Sequence, residues 1–443
     1  MSSPKKPRGV VARIARGVMW TLLSAVVLIG LLVGVGVFRY QRVMNTSSIG
    51  VYSYAWSVTK SLAFDQEALG DWSRFEHKYD AQISNDEDAV KDANEMLATL
   101  HDPFTRLLSA SETKAEHDAM HGNFAGIGVQ FGMQIDKDGK VAKNAAGKPL
   151  MTSTADGYPV ADEVLDGPAN AVGVQAGDAF ISVNGTSLQN VGADEVVKLL
   201  RGTPASTAHV VLRRGSKEFS VDIVRGQVHL HAVKTQQLGD IGYIRLTSFE
   251  QDSTVDEMRD ALQKLSTSKA YILDLRNNPG GRVDFVLNLA PLFLDKGTIV
   301  TIKQHQHGGG TRTENYEVPA GNTENLTGGK PMIILINGNT ASAAEMFTGA
   351  MVNNGRAEAE GTTSFGKGIG QTVVPAPNGT ELHVTSLRYY TPNGTWLGDG
   401  NSNKHGIEPT FKVEAPKVMK LLSEQDVQLK FAVDKLHEEL AGK

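Results

Sequence analysis

Cysteine is absent from this sequence of 443 residues, which excludes disulfides, a thiolate nucleophile and zinc sites built on thiolates. A basic excess is missing as well, because 44 Lys and Arg stand against 49 Asp and Glu and give a formal net charge of −5. The first 38 residues hold five basic side chains and no acidic ones, so the remainder carries about −10. We therefore expect no nucleic-acid partner.

Histidine is present, but it occurs in no catalytic or metal-binding motif. Of the twelve histidines, His383 and His405 fall in the predicted core, and no acidic residue stands with them in a recognisable motif, so a Ser-His-Asp triad is not excluded but has little support. His305 and His307 could form a metal pair, yet two histidines in a polar loop are more often solvated. The sequence predicts no metal site and no other cofactor.

The N-terminus has the pattern of a membrane anchor. Five basic residues in the segment 1–16 precede an uncharged stretch, 17–38, whose 22 residues are long enough to span a bilayer. The basic excess predicts a cytoplasmic N-terminus and a single-pass protein of the cell membrane whose remaining domains are extracytoplasmic. A cleaved signal peptide is the alternative, but no clear small-x-small cleavage site follows the apolar run.

One serine stands at a predicted corner between a strand and a helix. The apolar run Met332–Ile336 is typical of a buried parallel strand, and a small-residue helical pattern covers Ala341–Met351. Ser342 lies at the start of that helix, where backbone N–H groups are unpaired and the helix dipole is positive. Such a corner suits an oxyanion, although a serine here could also be a helix N-cap.

A lysine downstream could serve as the base for this serine. Lys367 lies among glycines and uncharged residues, which favours a desolvated amine with a lowered pKa, and Gln371 could orient it without adding charge. The alternative is a solvated loop lysine. A third element, the predicted strand Ala270–Arg276, is followed by Gly280 and Gly281 and then by a helical pattern that predicts a helix at 283–294. Paired glycines usually form only a tight turn, but their N–H groups and that of Ala343 could form an oxyanion hole.

Three motifs in order resemble the signatures of the carboxy-terminal processing (tail-specific) serine proteases: LRNNPGG at 275–281, NTASAAE at 339–345 and FGKGIGQ at 365–371. The resemblance implies Ser342 as nucleophile, Lys367 as general base and Gln371 as the residue that orients it. It also implies that residues 229–412 form a protease core similar to the crotonase fold.

Residues 123–228 resemble a PDZ domain. A helix at 193–200 and strands at 209–213 and 218–224 complete its pattern. Such domains add a peptide as a strand and bind its terminal carboxylate with backbone N–H groups. The predicted groove residues are Gly126, Ile127, Gly128, Val129, Val197 and Leu200. The resemblance further implies that Arg201 couples peptide binding to the catalytic site; a plain β-rich packing domain is the alternative.

The predicted fold class is multi-domain α/β. It comprises the N-terminal transmembrane helix, a helical region at 44–122, the β-rich PDZ domain, the crotonase-like α/β core, and a C-terminal helical segment at 413–443 whose apolar stripe could dock on the core or on a second subunit.

The leading hypothesis is a membrane-anchored endopeptidase whose partners are proteins or peptides with free C-termini, with homo-oligomerisation as a further possibility. The competing hypotheses are a catalytically silent PDZ scaffold on a protease-like fold and a hydrolase that does not act on peptides.

Overall fold

The computed structural model describes residues 47–120, 124–134, 141–228, 231–306, 309–416 and 421–442. The predicted basic segment 1–16 and membrane segment 17–38 lie outside these ranges. Among the helices within them, none is long and apolar enough to cross a membrane. The described residues form two compact units: those up to Thr113 together with Thr372–Val384, and Lys114–Gln371 together with the residues from Thr385 onward.

The first unit is mainly helical. Its helices and single complete strand are α1 (Ser48–Leu62), α2 (Gln66–Leu69), a 3-10 turn (Trp72–Phe75), α3 (Asp86–Ala98) and β1 (Arg106–Leu108). β1 pairs antiparallel with residues 381–383. The apolar faces of α1 and α3 pack against Trp72 and Phe75 and bury Tyr52, Met96 and Leu97 completely. These side chains give the first unit a core of its own.

The second unit begins with the segment that resembles a PDZ domain. Its elements, preceded by α4 (Ala110–Met120), are β2 (Phe124–Gly126), β3 (Val129–Gln130), β4 (Glu163–Val164), α5 (Pro168–Ala171), β5 (Ala179–Val183), β6 (Thr186–Ser187), α6 (Ala193–Leu200), β7 (Thr207–Arg214), β8 (Lys217–Val224) and β9 (Gly226–Val228). Strands β6, β5, β7 and β8 form an antiparallel sheet in that order, while β2 pairs with β9 and β3 with β4. Inward-facing side chains of the sheet and of α6 form one apolar core.

Beyond this segment the chain alternates strands and helices, all of them in the second unit except the residues Thr372–Val384, which belong to the first. The elements are β10 (Val233–Leu238), β11 (Ile241–Leu246), α7 (Thr254–Lys264), β12 (Ala270–Asp274), α8 (Val283–Leu289), a 3-10 turn (Ala290–Leu292), β13 (Gly297–His305), β14 (Thr311–Val318), β15 (Met332–Ile336), α9 (Ala343–Asn353), β16 (Glu358–Gly361), β17 (Ile369–Pro375), a 3-10 turn (Pro377–Gly379), β18 (Glu381–Tyr390), β19 (Phe411–Lys412) and α10 (Val427–Ala441). The central sheet has the order β10-β11-β12-β15-β16-β19, and its strands from β11 to β19 run parallel. In a separate ladder, β13 pairs with β14 and with residues 387–390 of β18.

Helices cover both faces of the central sheet. Every residue of β12 and β15 is buried, as expected for parallel strands enclosed on two sides. Helices α7, α8 and α9 pack on one face. On the other face α10 packs Leu429, Ala432 and Leu436 against the sheet, so the apolar stripe of the C-terminal segment docks on this core.

A buried ionic cluster joins α10 to the end of β12. Arg276 is 1% exposed, and its guanidinium donates to the carboxylates of Asp274 and Asp426. Asp426 also accepts the N–H of Leu429 as the N-cap of α10. The arginine next to the first glycine motif therefore has a structural role, since it fixes the C-terminal helix on the sheet.

Candidate active site

The loops after β11, β12, β15 and β16 leave the same edge of the sheet, because these strands are parallel neighbours. Sequence features that are far apart in the chain are thus placed side by side. The glycine pair follows β12, Ser342 follows β15 and Lys367 follows β16.

Ser342 immediately precedes α9 and has a left-handed backbone, with φ 54° and ψ −119°. A β-carbon makes such a conformation unfavourable, and serine adopts it only where the surroundings hold it. Its N–H donates to Glu345 Oε2 at 2.9 Å.

Gly280 packs directly against the corner that carries Ser342, whereas Gly281 packs against the backbone of Phe249. Gly280 has φ 94°, and a β-carbon there would lie 2.6 Å from the Ala341 carbonyl oxygen, 2.7 Å from the Ala343 nitrogen and 2.9 Å from the Ser342 β-carbon. Only glycine allows this approach. The contact also positions the peptide of Gly280 and Gly281 beside the nucleophile candidate.

The three candidate oxyanion donors differ in what their N–H groups already bind. The Gly280 N–H donates to Asn278 Oδ1 at 2.9 Å, while the N–H groups of Gly281 and Ala343 have no acceptor among the residues that the structure describes. Asn278 is itself buried and donates to the Leu246 carbonyl, which holds the loop in place. Gly281 and Ala343 are therefore the donors that can bind an oxyanion without breaking an existing hydrogen bond.

Lys367 is half-buried, and its side chain is directed by an amide. Lys367 Nζ donates to Gln371 Oε1 at 3.1 Å, and Gln371 Nε2 in turn donates to Thr385 Oγ1 at 3.0 Å. Since the Gln371 carbonyl is neutral, it orients the amine without adding a charge that would favour the ammonium form.

Two functional candidates were missed at the sequence level, Glu345 and Tyr389. Both side chains are almost fully buried and bind the backbones of Ser342 and Lys367. Ser342 and Glu345 have the spacing of a helix capping box, a signal that was available in the sequence. No local pattern marks Tyr389, because it lies 47 residues beyond the serine on β18.

Glu250, in the loop after β11, adds a titratable group to this region. Its carboxyl carbon would lie 3.0 Å from a β-carbon on Gly281. Burial, together with the charge of Glu116, raises the pKa of Glu250 to about 7, against the opposing effect of Arg282 and Lys367. Its charge therefore changes near neutral pH, next to the glycine pair.

The predicted peptide groove is an open cavity of about 290 Å³. All six predicted groove residues line it, and so does Arg201; the other lining residues are Gln130, Phe131, Leu165 and Val228. Arg201 is the C-cap of α6, the helix that forms one wall. Peptide-binding and coupling candidates thus share one cavity.

Across the described ranges, no group of three or more His, Asp or Glu side chains has an arrangement suited to a metal ion.

Comparison with known families and proteins agrees with the resemblance seen in the motifs. The model for peptidase family S41 matches residues 240–413, and the model for the PDZ domain matches residues 125–213. The chain is 29% identical over 389 residues to the "probable CtpA-like serine protease" of Staphylococcus aureus (strain COL), covering 86% of this chain and 72% of that protein. A protein of the same name from Staphylococcus haemolyticus (strain JCSC1435) is 32% identical over 325 residues, covering 73% of this chain and 59% of the relative.

Among solved structures, the photosystem II D1 C-terminal processing protease is similar, with a TM-score of 0.51 and 26% identity, covering 84% of this chain and 95% of that one. The fold and the matching relatives define a serine-type peptidase with a PDZ domain. Residues 240–413 match peptidase family S41, which confirms the resemblance of the three motifs to the carboxy-terminal processing serine proteases.

Proposed function

We propose that this peptidase is a membrane-anchored extracytoplasmic endopeptidase that recognises the C-terminal tails of proteins and cleaves them with a Ser-Lys dyad. The observation that carries the mechanism is the placement of Ser342 and Lys367. Their backbone N–H groups donate to the same oxygen, Glu345 Oε2, each at 2.9 Å, while Lys367 Nζ donates to Gln371. The two residues are therefore adjacent, although 25 positions separate them in the chain.

In the proposed reaction, neutral Lys367 Nζ accepts the proton of Ser342 Oγ as this oxygen attacks the substrate carbonyl carbon. The N–H groups of Ala343 and Gly281 stabilise the resulting oxyanion. Collapse of this tetrahedral intermediate breaks the peptide bond, and the Lys367 ammonium donates the proton to the leaving amine. Water then attacks the acyl-enzyme with Lys367 again as base, which releases the new C-terminus and restores Ser342.

The groove lined by Gly126 to Val129 supports recognition of a tail. The N–H groups of Ile127 and Gly128 have no acceptor among the described residues, and apolar side chains of Val129, Val197 and Leu200 surround them. This combination suits the C-terminus of a peptide, because the N–H groups can bind its terminal carboxylate and the apolar side chains can pack against its last residues. The membrane anchor is supported only by the apolar stretch 17–38 and its basic flank.

The proposal is tested by incubating the full chain with an unstructured protein that has a free C-terminus and mapping the fragments by mass spectrometry. We expect internal cleavage by the wild type and none by Ser342→Ala. Intact substrate with the wild type would favour the silent scaffold, whereas equal cleavage by Ser342→Ala would place the nucleophile elsewhere.

A further inference from the structure

Four hydrogen bonds converge on the carboxylate of Glu345, the third residue of α9. Oε2 accepts the N–H groups of Ser342 and Lys367, both at 2.9 Å, and Oε1 accepts the Gly366 N–H at 2.6 Å and the Ser364 hydroxyl at 2.5 Å. The side chain is fully buried. Since all four partners donate, they bind the ionised form of the carboxylate, and charge-assisted hydrogen bonds of this kind are the stronger ones.

These bonds oppose the effect of burial on the same group. Burial raises the pKa of Glu345, and the hydrogen bonds from Ser364, Lys367, Gly366 and Ser342 act in the opposite direction. A buried carboxylate is tolerated only when its lone pairs are satisfied in this way. A glutamate that served only to cap α9 would need no contact with the loop that carries Lys367.

A second side chain joins the same two residues from their carbonyl side. The Tyr389 hydroxyl is directed at the Ser342 carbonyl oxygen, 3.0 Å away, and at the Lys367 carbonyl oxygen. Tyr389 is 1% exposed, and burial raises its pKa well above the ordinary value, so the phenol keeps its proton. Ser342 and Lys367 are thus each held at N–H and at C=O.

We propose that Glu345 and Tyr389 are positioning residues that fix the backbone of the nucleophile relative to that of the general base. The inference rests on the proposed Ser-Lys dyad and extends it. We call Glu345 and Tyr389 together the clamp. The left-handed backbone of Ser342 is strained, and the hydrogen bond from its N–H to Glu345 holds it in that conformation. Neither residue touches the substrate, and both act through Ser342 and Lys367.

Glu345→Gln is the main test, because an amide of the same shape presents an N–H₂ to at least one pair of these donors. We expect kcat to fall about 10²-fold, as for a misplacement of roughly 1 Å, with KM changed less than threefold. Glu360→Gln is the matched control: it makes the same chemical change at another fully buried glutamate, one without a hydrogen-bond partner in the described residues. Its kcat should stay within about twofold of wild type.

A double-mutant cycle separates positioning from general stability. In a Lys367→Ala background the base is absent, so Glu345→Gln should lower the residual rate at which a fluorophosphonate phosphonylates Ser342, with loss of fluoride, by less than threefold. If Glu345→Gln again lowered that rate about 10²-fold, or if the single variant kept wild-type kcat, the clamp would be wrong. Wild-type activity of Lys367→Ala would instead reject the dyad itself.

If Glu345→Gln does not fold, Tyr389→Phe provides the test, since phenylalanine fills the same space and lacks only the hydroxyl. We expect kcat to fall about tenfold with KM unchanged. Tyr243→Phe is its control, because Tyr243 is equally buried and donates to Asp274 instead. Equal kcat in the two variants would overturn the clamp.

Discussion

At the scale of single residues, the site depends on positions where only one type of residue fits. Gly280 touches the backbone on both sides of Ser342, so the oxyanion donors and the nucleophile are held by direct contact. The sequence revealed the glycines, the serine and the lysine through their motifs. It could not assign the Gly280 N–H to Asn278 Oδ1, because that depends on a turn geometry that the residue types alone do not determine.

Gly280→Ala should abolish activity. The new β-carbon would meet the Ala341 oxygen and the Ala343 nitrogen well inside contact distance, which would displace Ser342 from its place. Gly355→Ala is the control, since its φ of 67° is also left-handed but nothing lies within 4 Å of the added carbon. We expect that control to lose about 1 kcal/mol of stability and to keep its kcat, with activity and thermal unfolding as the measurements. Similar kcat values in the two variants would show that the Gly280 contact is not needed for catalysis.

At the scale of helices and strands, prediction from the sequence succeeded where periodicity was strong. The predicted strand at 332–336 and the predicted helix at 193–200 have the same limits in the structure. The helix predicted at 283–294 instead ends at Leu289 and continues as a 3-10 turn that includes Pro291, because proline lacks the N–H that the next turn of α-helix needs. The buried charges of the sheet could not be predicted, since Arg276 and Asp426 meet across 150 residues.

Glu360 on β16 makes the stability of the fold depend on pH. Burial, with Asp426 and Asp274 adding to it against Arg276, raises the pKa of Glu360 to about 8, and neither carboxyl oxygen has a partner among the described residues. The folded protein therefore holds this proton more tightly than the unfolded chain. The group's contribution is fully present below the unfolded pKa of about 4.5 and is lost as pH rises through about 8.

Glu360→Gln removes this dependence while it keeps the shape of the side chain. Relative to the variant, wild type should lose up to about 1.4 kcal/mol of unfolding free energy per pH unit in that window. Urea unfolding of both proteins at pH 5, 6, 7 and 8 measures the difference. A difference that does not change with pH would mean that Glu360 ionises normally.

At the scale of the whole molecule, the PDZ region and the catalytic core belong to one compact unit and are joined by charged contacts. Lys234 on β10 donates to both carboxylate oxygens of Glu163 on β4, and His231 lies between Asp166 and Glu257. Arg201 lines the groove of the PDZ region in this unit.

If the groove reads a terminal carboxylate, amidation of a tail peptide should weaken its binding. The amide loses the charge and one acceptor oxygen, and charge-assisted hydrogen bonds contribute roughly 1.5–3 kcal/mol, so we expect about a ten- to hundredfold loss of affinity. Calorimetry with the full-length Ser342→Ala chain avoids cleavage during the titration. Equal affinities would mean that tail specificity comes from the active-site cleft.

Arg201→Ala should retain tail binding and lose activation by the peptide.

Single-turnover acylation of the Lys367→Ala variant shows whether Lys367 is the base for Ser342. The rate at which the first peptide product appears, with enzyme in excess, isolates the step in which the serine proton is removed. We predict a loss of about 10³-fold or more, with tail-peptide binding and thermal stability close to those of wild type. A Lys367→Ala enzyme that acylates within tenfold of the wild-type rate would show that Lys367 is not the base and that another group removes the serine proton.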